Sequence, residues 1–510
     1  MCGILVFVGK GIETEKLDKS LSLMNHRGPD FQNSIHFENC VYMGHNRLSI
    51  IDLDQRSNQP FNSGDFVIVY NGEVYNYLEL IKEHNIILET QSDTEVVLKM
   101  YIKYGPKCLD YFNGMFAFVI YNKKTKEIFS ARDRLGIKPL YIYNHGNNLV
   151  FSSEISPILN LFKSKVDEFG IRQYRKLRMT IKGHTFFEDI KNFPPGHYFL
   201  NGKTHKYWEL NIDEKAPPSD EELSYLISDA VSIRMRSDVP VGSYLSGGLD
   251  STILTYLSKP NDTWTVGFEQ LNEFNWSDIA DKNLQSLHHK ILIDKNQFLD
   301  LASSMVTKRM EPLSVPNEVL IYLMTKEVKK KNTVVLSGEG ADELFMGYDR
   351  IFHWANNQSV LNLSEFDDKY CYGTNKDNEV LDFELEDLKG EKVLDKIAYY
   401  FQITHLQGLL RRLDNATMLC SVEARVPFVD HRLIERLAGV SFEYKMGNSF
   451  KEPLKRIFGP MIPKEIVERK KIGFPVPLDS IFENYLPSQK QTSMDKWLLY
   501  NMENFLKTIR

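Results

Sequence analysis

Val239-Pro-Val-Gly-Ser-Tyr-Leu-Ser-Gly-Gly-Leu-Asp-Ser251 decides the fold of the second half of the chain. Val239 to Leu245 is an apolar run that reads as a strand. Ser246, Gly247 and Gly248 form a small-residue turn, and a helical stretch follows. Such a junction aims backbone N–H groups at the start of a helix, where an anion is favoured. No Lys follows the glycines, so the turn is not the GxxxxGK[ST] phosphate loop. Asp250 would repel phosphate unless Mg²⁺ lies between them, which is the arrangement hard oxygen donors suit. The plain alternative is a junction whose glycines only permit the turn.

Moving outward, Thr333 to Leu336 is a second short strand, ending in Ser337-Gly338-Glu339-Gly340-Ala341-Asp342. Both turns fall at strand C-termini, where open α/β sheets bind ligands. Asp342 is placed to complete a Mg²⁺ site with Asp250, and Glu339 to act on the acceptor or the incoming amine. TWTVGF and HKILID add strands between helical stretches, which argues a parallel α/β sheet, and the pattern is mostly helical from about 394 onward. Lys451 is a candidate for neutralising a transferring phosphoryl group, and Arg469-Lys470-Lys471-Ile472-Gly473-Phe474 is a basic turn suited to leaving pyrophosphate. Val422 to Asp430 pairs Glu423 with Arg425 and reads as a structural ion pair lining the same cleft.

The first ~205 residues have a different texture: GILVFVG, VYMGHNRLSII, DFVIVYNGEVYN, MFAFVIYNKKTKEIFSARD and LYIYNHGNNLVFSSE read as short antiparallel strands, with helices near 14–24 and 93–104. Asn122–Thr125 and Asn144–Asn148 read as hairpin turns. NIDEKAPPSDEEL then marks a boundary, and Ser219-x-x-Glu222 opens a helix. Cys2 follows Met1, so loss of Met1 leaves a thiol and a free α-amine on one residue. An α-amine with a pKa near ~8 is a usable base for the thiol at neutral pH. Three elements complete a glutamine pocket around it. Arg47 ends a strand with a guanidinium suited to an α-carboxylate, Asn71 and Gly72 offer oxyanion donors, and Asp93 opens a helix where it can take an α-ammonium. Singly, each has an ordinary structural reading; jointly they describe one site.

The formal charge of −6 over 510 residues, with no basic block, implies no nucleic-acid partner. Five cysteines without CxxC spacing imply neither a zinc site nor a disulfide framework and fit a reduced, cytoplasmic setting. The N-terminus lacks a basic n-region, and no apolar stretch nears the ~20 residues that span a bilayer, so no membrane partner is expected.

MCGI, HRGPD (26–30), GHNRLSIID, NGEVYNY, SDTE, FNGMFAF and ARDRLGIKPLYI, followed in order by SGGLDS, TVGFE, SGEGADELFMGY, SVEARVPFVD, SFKEPLKR and RKKIGFPVP, resemble the asparagine synthetase family over roughly residues 2–480. The resemblance implies an α+β N-terminal domain, a four-layer αββα N-terminal-nucleophile sandwich (2–205), then a linker (206–218). An α/β parallel-sheet ATP-pyrophosphatase domain with C-terminal helices (219–510) completes the chain. It implies Cys2 as nucleophile and Asn71 with Gly72 as the oxyanion hole. Glutamine ligands would come from Arg47, Leu48, Ser49, Ile50, Glu73 and Asp93. ATP would be framed by Leu245, Ser246, Gly247, Gly248, Asp250, Ser251, Val266, Ser337 and Gly338, with Asp250 and Asp342 on Mg²⁺. Glu339 would serve the acyl-adenylate and Lys451 the attack of ammonia.

The activity implied is amidation of aspartate through a β-aspartyl-adenylate, with ammonia channelled from glutamine and with small-molecule substrates as the partners. A homodimer is the assembly kept open. Three departures stand out: Asn25 where the family commonly has Arg, Asn275-Trp276-Ser277, and Leu313-Ser-Val-Pro-Asn-Glu318. The last two leave room for another acceptor, such as a sugar acid in surface-polysaccharide synthesis. A silent glutamine or nucleotide sensor and a stand-alone glutaminase are disfavoured by the joint presence of Cys2, Asp250, Glu339 and Lys451.

Overall fold

The structure is a computed structural model that describes residues 2–38, 40–447, 449–470, 473, 475–483 and 491–510. Its first twelve strands are β1 (Gly3–Val8), β2 (Phe31–Phe37), β3 (Val41–Arg47), β4 (Phe61–Ser63), β5 (Phe66–Val74), β6 (Gly114–Asn122), β7 (Ile128–Arg132), β8 (Tyr141–His145), β9 (Asn148–Ser152), β10 (Ile190–Asn192), β11 (His197–Leu200) and β12 (Lys203–Lys206). They form two antiparallel six-stranded sheets, ordered β10-β8-β9-β1-β3-β2 and β12-β11-β7-β6-β5-β4.

The layering follows from period-2 alternation. Ile4 and Val6 of β1 pack with Val67 and Val69 of β5 and Ala117 and Val119 of β6, which seals the two sheets face to face. Leu5 and Phe7 point the other way, toward Leu17 and Leu21 of the helix Thr14–Ser22. On the far face of the second sheet, Ile68, Tyr70 and Phe118 meet Val96, Val97 and Met100 of the helix Asp93–Tyr104. The result is helix, sheet, sheet, helix, the expected αββα order. The expected hairpins join β6 to β7 and β8 to β9.

Helix resumes at Asp220, where the Ser219 hydroxyl accepts the Glu222 amide at 3.1 Å, as the capping pattern predicts. Five parallel strands follow, β13 (Val241–Tyr244), β14 (Asp262–Gly267), β15 (Leu287–Leu292), β16 (Val334–Leu336) and β17 (Glu423–Arg425), ordered β15-β14-β13-β16-β17. β17 lies in a region expected to be helical. Its three residues pair in register with Val334 to Leu336, and Glu423 and Arg425 are buried as a mutual ion pair, so charged residues occupy a strand that apolar patterning cannot find. The last helix, Ser493–Thr508, begins at a Thr492–Asp495 capping box, and its Trp497 packs on Phe298 with a ring-centre separation of 5.7 Å. No helix among the described residues is long and apolar enough to cross a membrane.

Candidate active sites

Pairing of β1 with β3 and the packing of the two sheets bring Cys2 against β5. The Cys2 backbone nitrogen donates to Asn71 Oδ1 at 3.1 Å, while Asn71 Nδ2 is buried and has no partner among the described residues. One amide group thus fixes the main chain of Cys2 and leaves a donor beside it. The Cys2 Sγ is 4.0 Å from the Leu48 carbonyl, and burial pushes the thiol pKa up, so it needs a base to become a nucleophile. Met1 lies outside the described residues. Next to Asn71, a Cβ on Gly72 would lie 2.2 Å from the Met115 carbonyl oxygen, so the close approach of β5 to β6 demands glycine there.

Glu73 shares the face of Asn71, two residues along the strand. Its Oε2 is buried and has no hydrogen-bond partner among the described residues, and Oε1 is 3.7 Å from Arg425 Nη2. Burial, then the nearby Asp93 and Glu423, hold its pKa well above the usual carboxylate range. Asp93 accepts the Tyr70 hydroxyl at 2.8 Å and the Val74 amide at 2.9 Å, and burial raises it to about 6. Both carboxylates are buried with raised pKa values, a setting that would favour a further positively charged group. Arg47 donates through Nη1 to the Asp54 carbonyl and to Asn58 Oδ1, at 3.0 and 2.7 Å, and through Nη2 to the Asp52 carbonyl. Those bonds use three of the five guanidinium N–H groups and, among the described residues, leave Nε–H and one Nη2 N–H able to meet a carboxylate. Ser49 and Ile50 are tied down by their main chains, Ser49 N to Asp30 Oδ2 at 2.8 Å and Ile50 O to Asp238 N at 2.9 Å.

The second site opens at the C-terminal ends of β13 and β16. A cleft of about 510 Å³ is lined by Leu245, Ser246, Gly248, Asp250, Ser251, Val266, Ser337, Gly338, Glu339, Asp342 and Lys451. Gly247 is the exception among the expected ATP residues. It does not line this cleft; its φ is +69°, and a Cβ on it would lie 2.3 Å from the Trp276 carbonyl carbon. That left-handed turn is one that glycine adopts without strain. The loops meet where Gly338 faces Asp250, with room for a Cβ only 3.3 Å from the Asp250 Cβ.

Lys451 sits between Asp250 and Asp342, 2.5 Å from each. Burial alone would lower its pKa, but the two carboxylates outweigh burial and hold it above the ordinary lysine range. Gly347 makes this cluster possible, since a Cβ there would fall 1.9 Å from Asp342 Oδ1 and 2.5 Å from Lys451 Cε. Glu339 is paired with Arg412 at 2.5 Å. Arg412 in turn donates to Asn317 Oδ1 at 3.2 Å, which gives one departing segment, 313–318, a place in the cleft wall. The other, 275–277, contributes Trp276, stacked 4.7 Å under the Arg469 guanidinium. Arg469 also donates to the Gly247 carbonyl at 2.8 Å and pairs with Glu273. Lys470 lines the cleft, and Lys471, Ile472 and Phe474 lie outside the described residues.

The ion pair at 423–425 faces the other way from its expected position. Arg425 lies beside Glu73, near Cys2 and Asn71, instead of lining the second cleft. The helix Leu406–Met418 lies in the stretch expected to be helical, but no sequence motif assigns it a role, and it touches both sites. Its Arg412 holds Glu339, and two residues on, Asp414 Oδ2 accepts Arg27 Nη2 at 2.9 Å. Arg27 Nε donates to the Cys2 carbonyl at 3.1 Å. Asn25, the departing residue nearby, is exposed.

Residues 1–208 match the family model for a glutamine amidotransferase domain, and residues 222–497 match that for asparagine synthase. The chain belongs to the asparagine synthase family. It is 31% identical to asparagine synthetase (glutamine-hydrolyzing) 3 of Bacillus subtilis (strain 168), over 93% of this chain and 87% of that protein. It is 35% identical to putative asparagine synthetase (glutamine-hydrolyzing) 2 of Methanocaldococcus jannaschii, over 68% of this chain and 76% of that protein. The family pairs an amidotransferase half with an ATP-using synthase half, and this chain carries both, as a glutamine-dependent ligase does.

Proposed function

We propose that the chain converts aspartate to asparagine, drawing ammonia from glutamine and energy from cleavage of ATP to AMP and pyrophosphate. The observation that carries this reading is the single helix, Leu406–Met418, that holds Glu339 through Arg412 and the Cys2 main chain through Asp414 and Arg27. Two unrelated half-reactions would not need a shared support.

With Met1 removed, the nitrogen now bonded to Asn71 Oδ1 becomes a free α-amine, already oriented. It takes the thiol proton, and Sγ attacks the side-chain carbonyl of glutamine. The oxyanion is met by Asn71 Nδ2 and the Gly72 N–H. Collapse breaks the C–N bond, the amine returns the proton to the leaving ammonia, and water hydrolyses the thioester to glutamate. Glu73 and Asp93 receive the α-ammonium, and the side edge of Arg47 the α-carboxylate.

At the other site, Ser246, Gly248 and Ser251 surround the phosphates and Val266 borders the adenine. Asp250 and Asp342 are two carboxylate donors facing a site for phosphate oxygens, the set Mg²⁺ takes; when bound, Mg²⁺ supplies positive charge to the triphosphate. Lys451, released from part of its pairing, follows the charge that develops on the α-phosphoryl group. The β-carboxylate of aspartate attacks the α-phosphorus and pyrophosphate leaves. Ammonia then attacks the β-aspartyl-adenylate, Glu339 takes the excess proton, and asparagine and AMP depart. Ammonia travels along the buried interface beside the helix Leu406–Met418, since water there would hydrolyse the adenylate.

A chamber of about 640 Å³ adjoins the cleft through Tyr348, Tyr372 and Phe450, and this favours one second reading, the same chemistry on a larger acid such as a sugar acid. The test is pyrophosphate release with glutamine, ATP and Mg²⁺, with and without aspartate. A several-fold rise with aspartate is expected; no rise would remove aspartate as the acceptor.

A further inference from the structure

Arg178 has no part in the mechanism above, yet its setting is that of a ligand-binding group. It follows the helix Glu168–Leu177 with φ of +66°, a left-handed position where glycine is the usual residue and a side chain is strained. The side chain is almost fully enclosed, at 5% exposure. Its guanidinium lies over two tyrosine rings, 5.3 Å from the centre of Tyr370 and 4.7 Å from that of Tyr372. Nη1 is buried and has no hydrogen-bond partner among the described residues. An unmet buried N–H and a strained backbone are two separate costs at one residue, and such costs concentrate where a ligand repays them.

Its position indicates which ligand. Arg178 borders the nucleotide cleft, the adjoining chamber and a small void that it shares with Arg412, the partner of Glu339. A planar guanidinium held by aromatic faces, with an open N–H edge, matches a carboxylate. We propose that Arg178 binds the carboxylate of the acceptor that is not adenylated, which for aspartate is the α-carboxylate. The proposal rests on aspartate as the acceptor and assigns the residue that selects a dicarboxylate over a monocarboxylate.

The experiment uses the full-length enzyme with ATP, Mg²⁺ and ammonium chloride and compares L-aspartate with β-alanine. β-Alanine keeps the amine and the reacting carboxylate of aspartate but lacks the α-carboxylate. Arg178→Ala should raise the KM for aspartate on the order of 10²-fold, with Arg178→Lys in between. The weak β-alanine rate, the KM for ATP and glutamine hydrolysis should stay at wild-type values. Arg178→Gly should do the same to aspartate while relieving the left-handed strain, so its melting temperature separates lost binding from lost folding. An unchanged aspartate KM, or an equal loss on aspartate and β-alanine, would overturn the assignment. If the wild type releases no pyrophosphate with aspartate, the acceptor reading fails on its own. Malonate binding to the ATP-loaded enzyme then decides, with binding lost in Arg178→Ala supporting the anion role and equal binding ending it.

Discussion

The glutamine pocket and the nucleotide cleft are held together by different forces. In the pocket, Cys2, Asn71, Glu73 and Asp93 are placed by strand pairing and by neutral donors such as the Val74 amide and the Tyr70 hydroxyl. In the cleft, segments far apart in sequence are joined by charge: Lys451 to Asp250 and Asp342, Glu339 to Arg412, Arg469 to Glu273. A backbone-built pocket is complete before its ligand arrives. A charge-built cleft must exchange some of its internal pairs for the ligand's charges. The first should therefore be insensitive to salt and chelators and the second sensitive to both.

The widest break in that comparison comes from single substitutions that silence one site and spare the other. Cys2→Ala should take glutamine-driven synthesis below detection and leave ammonia-driven synthesis near wild type. Asp250→Asn should do the reverse, lowering pyrophosphate release about 10²–10³-fold, the size of losing a charge clamp, while glutamate release continues. EDTA should mimic Asp250→Asn. Parallel assays of glutamate and pyrophosphate decide, and loss of both activities in either folded variant would mean the sites are not separable.

Glu339→Gln sharpens the picture within the cleft. Its pairing with Arg412 means that the substitution keeps the shape and one hydrogen bond, so ATP affinity should hold. Amide formation should fall by about 10²-fold, as for a positioned acid–base group. Near-normal synthesis would reduce Glu339 to an anchor for Arg412.

A smaller effect is expected from pH on the glutamine side. Asp93 is raised to about 6, chiefly by burial. Its anion holds the ammonium in the proposed mechanism, so the KM for glutamine should climb as pH falls through about 6. The sign for stability is opposite. A carboxylate raised on folding contributes stability at low pH and loses it as pH rises through the folded value. Asp93→Asn should therefore raise the melting temperature of the ligand-free protein at pH 8 more than at pH 5. A flat KM profile between pH 5 and pH 8 would contradict the ammonium role.

The mildest expected effect is that of Asp414→Asn, which removes the charge that Arg27 meets from the synthase half. Each half-reaction should persist, but more glutamate should form per amide, by a few-fold. An unchanged ratio would leave the helix Leu406–Met418 as packing alone.

Sequence legibility divided along the same line as the forces. Strand alternation and the Gly-rich turns were readable because local geometry demands those residues: Gly72 against Met115, Gly247 against Trp276. What joins distant segments was not. Arg27 meets Asp414 across 387 positions, and Arg412 meets Glu339 across 73, with no local pattern to announce either. β17 is not legible as a strand because its Arg425 is met by Glu423 and Glu73 inside the protein rather than by solvent. Arg178 looks in sequence like any basic residue ending a helix, and only the two tyrosines over which it lies set it apart.

Passage of nitrogen from the Cys2 site to the adenylate within one molecule is the step that most depends on both sites. It is tested by supplying glutamine labelled with ¹⁵N in its side-chain amide, together with ATP, Mg²⁺, aspartate and an excess of unlabelled ammonium. The asparagine formed should carry label in its own amide well above the fraction in the ammonia pool. Label diluted to the level of the pool, or absent, would contradict transfer inside the protein.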